Sequence, residues 1–127
     1  MRAFGELQAA VMNVIWDGAR PMTVREVLTE LNEGTGRSLA YTTVMTVLVT
    51  LHSKGHLNRQ MVDGAWQYTA VRTREDHGAD LMADVLGASG NRHATLLAFV
   101  DQLSPAEAKK LATAIQHAKR PRGGQRS

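Results

Sequence analysis

The chain has 127 residues, 43% of them hydrophobic and 21% charged, with no cysteine and a formal net charge of +3. This size and mix suit one domain, or a small domain with an appendage, and exclude a wholly disordered chain. Disulfides, thiolate catalysis and cysteine-based zinc sites are excluded too, and the longest apolar run, Leu96 to Val100, falls far short of the roughly 20 residues that cross a membrane.

In chain order, Glu6 to Trp16 places Leu7, Ala10, Val11, Val14 and Ile15 at helical spacing, and Asp17-Gly18 ends the run. Thr23 and Glu26 form a capping box, after which Val24, Val27, Leu28 and Leu31 continue as the apolar stripe of a second helix to about Glu33. Gly34-Thr35-Gly36 breaks it.

The third segment divides into two faces. With Thr42 at zero and about 100° per residue, Tyr41, Val44, Val47, Leu48 and Leu51 fall between about 140° and 260°. Thr42, Thr43, Thr46, Thr50 and Ser53 fall between about 0° and 100°. Threonine and valine are mediocre helix formers, so this helix must depend on packing of its aliphatic face. Gly55 suits its end. Leu57 to Val62 and Ala65 to Val71 then flank Asp63-Gly64, which signals a β-hairpin. Helix, helix, turn, helix, hairpin is the order of a winged helix-turn-helix. The predicted fold class is therefore mainly α with a small β-hairpin: a winged helix-turn-helix domain followed by an α-helical dimerisation domain.

The remainder reads as three helices. Thr73 caps one that carries Leu81, Met82, Val85 and Leu86, and Gly87-Ala-Ser-Gly90 interrupts it. Leu96, Leu97, Val100 and Leu103 form a second stripe. Ser104-Pro105-Ala106-Glu107 is a capping box opening a third helix with Leu111 and Ile115. Three short helices cannot bury much core unaided, so the stripe residues Leu81, Met82, Val85, Leu96, Leu97, Val100, Leu111 and Ile115 are expected to meet a second copy of the chain. The expected division is 1–71 winged helix, 72–119 dimerisation and 120–127 a disordered basic tail.

Charge alone is a weak guide. Residues 1–70 hold six Lys/Arg and six Asp/Glu, and the excess collects at the end, in Lys119, Arg120, Arg122 and Arg126. The element order points to DNA instead. A helix with short side chains on one face fits a major groove about 12 Å wide, hydroxyls bond phosphates or base edges, and threonine methyls pack on the thymine C5-methyl. Thr42, Thr43, Thr46, Thr50 and Ser53 are thus the expected DNA-reading face. Lys54, Arg59 and Arg25 are expected phosphate contacts, as are Arg37 and Ser38 just before the helix. No Lys or Arg precedes Lys54 on that face, so strong guanine reading by this helix is not expected.

An enzyme is the first rival. His52 and His56 stand four apart, but Gly55 separates them and no carboxylate completes a set; no phosphate loop or placed nucleophile exists, so no catalysis, metal or cofactor is expected. The second rival is a winged-helix protein-interaction adaptor without sequence-specific DNA binding. The N-terminus lacks the apolar core of a secretory signal, which leaves the cytoplasm as the default.

The stretches Val11-Met-Asn-Val-Ile-Trp16, Thr23-Val-Arg-Glu-Val27, Ala40-Tyr-Thr-Thr-Val-Met-Thr-Val-Leu48 and Lys54-Gly55 resemble the penicillinase-repressor family (BlaI/MecI, with its CopY relatives) over about residues 5 to 120. The resemblance implies a homodimeric cytoplasmic repressor whose winged helices bind a dyad operator with TACA and TGTA half-sites. In β-lactam-responsive members, a membrane sensor metalloprotease leads to cleavage before a Phe in a Leu-Leu-Asn-Phe-Val context. Leu96-Leu97-Ala98-Phe99-Val100 matches that context, with Ala98 in place of Asn, so the implied cleavage lies between Ala98 and Phe99 in an antibiotic response. The same five residues also serve as an apolar helix stripe. Many members have Arg before the Leu that matches Leu51; this chain has Thr50, which removes one implied contact. The copper-responsive branch carries a C-terminal cysteine cluster, so the absence of cysteine excludes that metal-sensing mode.

Overall fold

The computed structural model describes residues 4–118, and the expected basic tail at 120–127 lies outside them. Helix α1 (Glu6–Gly18) ends at Ala19 in a left-handed conformation. Strand β1 (Met22–Thr23) leads directly into α2 (Val24–Thr35). The expected capping box is formed: the Glu26 amide donates to the Thr23 hydroxyl at 3.1 Å, and the Thr23 amide donates to the Glu26 carboxylate at 2.9 Å. That amide bond, against the opposing effect of burial and with help from the Arg20 charge, holds the Glu26 carboxyl below its usual value.

Gly36, with φ of 69°, stops α2 and starts the turn into α3 (Tyr41–Ser53). A side chain fixes that turn. Asn32 of α2 accepts from the Leu39 amide at 2.8 Å and donates to the Leu39 carbonyl at 3.3 Å, so both polar groups of one loop residue are satisfied from the preceding helix. Beyond α3, Gly55 (φ 88°) turns the chain into β2 (Leu57–Val62) and β3 (Ala65–Ala70). Asp63 and Gly64 both have positive φ, 50° and 82°, as a tight hairpin turn requires.

The sheet has three antiparallel strands in the order β1-β3-β2. The hairpin was expected; the two-residue β1, pairing Met22 with Tyr68 and Thr23 with Gln67, was not. It anchors the start of α2 to the wing. The core joins Val11, Met12 and Ile15 of α1, Met22, Val24, Val27 and Leu31, then Val44, Leu48 and Leu51 of α3, and Leu57 and Tyr68 of the wing. The sheet face carrying Leu57 and Tyr68 closes this core from one side, which supports a hairpin too small to stand alone.

Helix α4 (Arg74–Ala88) starts on the Thr73 cap, whose hydroxyl accepts from the Asp76 amide at 3.0 Å. Two compact units divide inside this helix, between Met82 and Ala83. The sequence placed the boundary at the end of β3. The physical reason for the difference is His77, which is buried against Phe4 and Trp16 and so ties the first turns of α4 to the winged unit. In the second unit, Asn91 caps α5 (Arg92–Asp101), and Ser104 and Glu107 form the expected capping box at the start of α6 (Pro105–Ala118). No residue of α5 or α6 is buried in the single chain.

Candidate nucleic-acid interface

Helix α3 is seated by its inner face. Val44, Leu48 and Leu51 are each 0% exposed, while Thr42, Thr43, Thr46 and Ser53 are exposed and Thr50 is half-buried. The aliphatic side therefore fixes the helix and the hydroxyl side faces outward. Tyr41 departs from the expected pattern. It is the first residue of the helix, at the rim of the core, and 40% exposed; its ring lies under the Arg25 guanidinium at 5.1 Å. That contact brings Arg25 of α2 beside the start of α3, as a stacked cation rather than a free one.

The other expected cations fall at the edges of the same unit. Lys54 is exposed and caps α3, its amide donating to the Thr50 carbonyl at 3.0 Å. Arg59 on β2 lies 4.1 Å over the Trp66 ring of β3, near the tip of the wing. Register places Met61 opposite Trp66, and both are exposed. Arg37 is paired with Glu6 at 3.9 Å, and Ser38 is exposed ahead of α3. Two outward residues of α3 are not hydroxyls: Met45 is 38% exposed and Val49 42% exposed. Sequence reasoning sorted the helix into aliphatic and hydroxyl sides and left these two between them. Asn32 was also missed, although it holds the turn that aims α3.

His52 and His56 do not form a pair on one helix. His56 lies past Gly55 and packs edge-on against Phe4 at 4.8 Å and 80°, while His77 stacks on Phe4 at 4.4 Å and 10°. Trp16 joins this cluster and donates its indole N–H to the Arg72 carbonyl at 2.9 Å. Among the described residues, Lys54, Arg72 and Arg74 lie beside it, and Arg74 pairs with Asp17 at 2.8 Å. Among the described residues, no three His, Asp or Glu side chains gather as a metal set.

Burial, then the charges of His77 and Lys54, push the His56 imidazole below its ordinary value of 6.5. The unfolded chain therefore takes the proton first. Stability from this group is full above about 6.5 and declines as pH falls below it. Denaturant midpoints measured from pH 7.5 to 5.5 are expected to fall with pH, and His56→Gln is expected to flatten part of that fall. An unchanged slope in the variant contradicts this account.

Residues 4–117 match the penicillinase repressor family. The chain is 39% identical to the transcriptional regulator BlaI of Mycobacterium tuberculosis, in strains CDC 1551 / Oshkosh and ATCC 25618 / H37Rv, over 94% of this chain and 91% of that one. Among solved structures, the hsRosR-S4 complex aligns over 92% of both chains, with 23% identity and a TM-score of 0.52. The solution structure of the DNA-binding domain of the repressor BlaI aligns over 60% of this chain and 93% of that one, with 28% identity and a TM-score of 0.49. With a family match across nearly all its length and a curated relative of this similarity, the chain belongs to the penicillinase repressor family of transcriptional regulators.

Proposed function

We propose that the protein is a homodimeric repressor that binds a dyad operator with TACA/TGTA-like half-sites through α3 and the wing. The observation that carries this reading is the outward hydroxyl face of α3, held in place by the full burial of Val44, Leu48 and Leu51 on the opposite side. Thr42, Thr43, Thr46, Thr50 and Ser53 read the groove, and Lys54, Arg59, Arg25, Arg37 and Ser38 hold phosphates. The stacked geometry of Arg25 and Arg59 limits the rotamer freedom that each loses on contacting DNA. Two α3 helices set about one helical turn apart, roughly 34 Å, reach successive major grooves.

The dimer is supported by the apolar stripes of α4, α5 and α6, since none of the described residues after His77 is buried. Val85 is 67% exposed and Leu97 54%, and Met82, Leu96, Val100 and Ile115 are exposed as well, with Leu81 and Leu111 half-buried. A second copy would cover these stripes, with residues 1–71 as DNA-binding region, 72–119 as dimerisation region whose first helical turns also brace the winged unit through His77, and 120–127 as a basic tail. Among the described residues no helix is long and apolar enough to cross a membrane, and the repressor acts in the cytoplasm under this reading. Release follows an inducing signal, through a membrane sensor metalloprotease and a cut between Ala98 and Phe99. Both residues are exposed, but they lie within α5, so that helix must open locally before a protease can bind its backbone.

The test is fluorescence anisotropy on a TACA/TGTA dyad duplex and a scrambled one across a salt series. Selective, salt-dependent binding supports the repressor; a protein-interaction adaptor shows no preference between the duplexes. Lys54→Ala and Arg59→Ala are each expected to weaken binding to both duplexes and to reduce the magnitude of the salt slope by about 1. A variant that changes only the preference between duplexes would move its residue from the phosphates to the bases.

A further inference from the structure

The outward face of α3 carries two apolar side chains that no core contact accounts for. Met45 and Val49 are 38% and 42% exposed, on the helix whose inner residues Val44, Leu48 and Leu51 are fully buried. On the helical wheel they fall at about 300° and 340°, directly beside Thr42 at zero. They stand four residues apart, so they are neighbours on one stripe, separated by about one turn. Single exposed apolar residues are ordinary. A pair of them in line, bordering a row of hydroxyls on one seated helix, has a more specific chemistry.

The major-groove edge of a base pair offers donors, acceptors and one apolar group, the thymine C5-methyl. A side chain without polar atoms contributes to reading that edge only there. Methionine is flexible and polarisable and fits an irregular apolar surface, whereas β-branched valine is stiff at χ1 and offers a fixed one. The rise between the two positions is about 6 Å, against 3.4 Å per base step, so the pair spans neighbouring or next-neighbouring bases.

We propose that Met45 and Val49 are specificity-determining residues that pack on thymine C5-methyl groups, at different bases of each half-site. This rests on the reading of α3 as the operator helix. It differs from that reading in assigning methyl recognition to two apolar side chains instead of to the threonines. Met45 adapts to its base, and Val49 fixes the more exacting contact.

The experiment begins by selecting an operator from random-sequence duplex DNA with the full-length protein. Each thymine of the selected half-site is then replaced by deoxyuridine, symmetrically in both halves, which removes only the methyl. One methyl lost from an apolar contact corresponds to about fourfold in affinity, and the symmetric change to roughly fifteenfold. Loss of that size is expected at one thymine for Met45 and at another for Val49. In Met45→Ala the first position is expected to become insensitive to deoxyuridine, and in Val49→Ala the second. Met45→Leu, which restores an apolar side chain, is expected to recover the sensitivity. An operator indifferent to deoxyuridine, or Ala variants as sensitive as the wild type, overturns the assignment while leaving the operator reading intact. Failure to select any sequence overturns the operator reading and this assignment with it.

Discussion

Replacing Leu96 by Asp is expected to turn the protein into a monomer and to reduce affinity for a dyad operator by roughly 100-fold or more. The magnitude follows from linkage. Two reading units joined in one dimer gain an effective concentration for the second half-site that raises affinity by about 10²–10⁴ over one unit. Leu96 lies on α5, in a unit whose two complete helices bury no residue in the single chain, and it is 48% exposed. A carboxylate at an apolar contact must be desolvated without a partner, which costs far more than the contact contributes. The winged unit should be unaffected, because its core is drawn from other elements. Light scattering is therefore expected to show a single-chain mass, while binding to an isolated half-site duplex stays at the wild-type level. A Leu96→Asp variant that remains dimeric refutes the assignment of this stripe to the dimer, and Leu111→Asp on α6 checks the same surface from a second helix.

Some of this architecture was legible because the rules that set it are local. The Thr23–Glu26 and Ser104–Glu107 caps each need only residues three apart, and both form. Asp63-Gly64 specified its turn, since both positions adopt positive φ there. The two faces of α3 followed from its period. Other features depend on partners distant in sequence. Strand β1 is two residues long and has no period of its own; it exists because Tyr68 and Gln67 pair with it. Asn32 carries no sign that it will hold Leu39 across a turn. Phe4 and His77 stack although 73 positions separate them, and so the first turns of α4 join the winged unit. Met45 and Val49 lie at wheel angles between the two obvious faces, where exposure is decided by how far the neighbouring elements reach.

Leu48→Ala is expected to destabilise the winged unit by roughly 2–5 kcal/mol, the range for removing a fully buried leucine and leaving a partial cavity. Leu48 is 0% exposed, in a core shared by α1, α2, α3 and the wing. Domains of this kind are stable by only about 5–15 kcal/mol in total, so the variant retains little margin. Val49, its neighbour in sequence, faces outward, and Val49→Ala is expected to stay within about 0.5 kcal/mol of the wild type, as surface substitutions usually do. The two variants separate the two tasks of α3. Its threonine- and valine-rich sequence has little helical preference to fall back on, so the outward face is ordered only while the inner face is packed. Operator binding by Leu48→Ala should consequently track the folded fraction measured by urea titration and recover at conditions that restore folding. Binding by Val49→Ala should change with no change in the urea midpoint. Equal midpoints for Leu48→Ala and the wild type would mean that this leucine does not seat the helix, and the outward assignment of the threonines would fall with it.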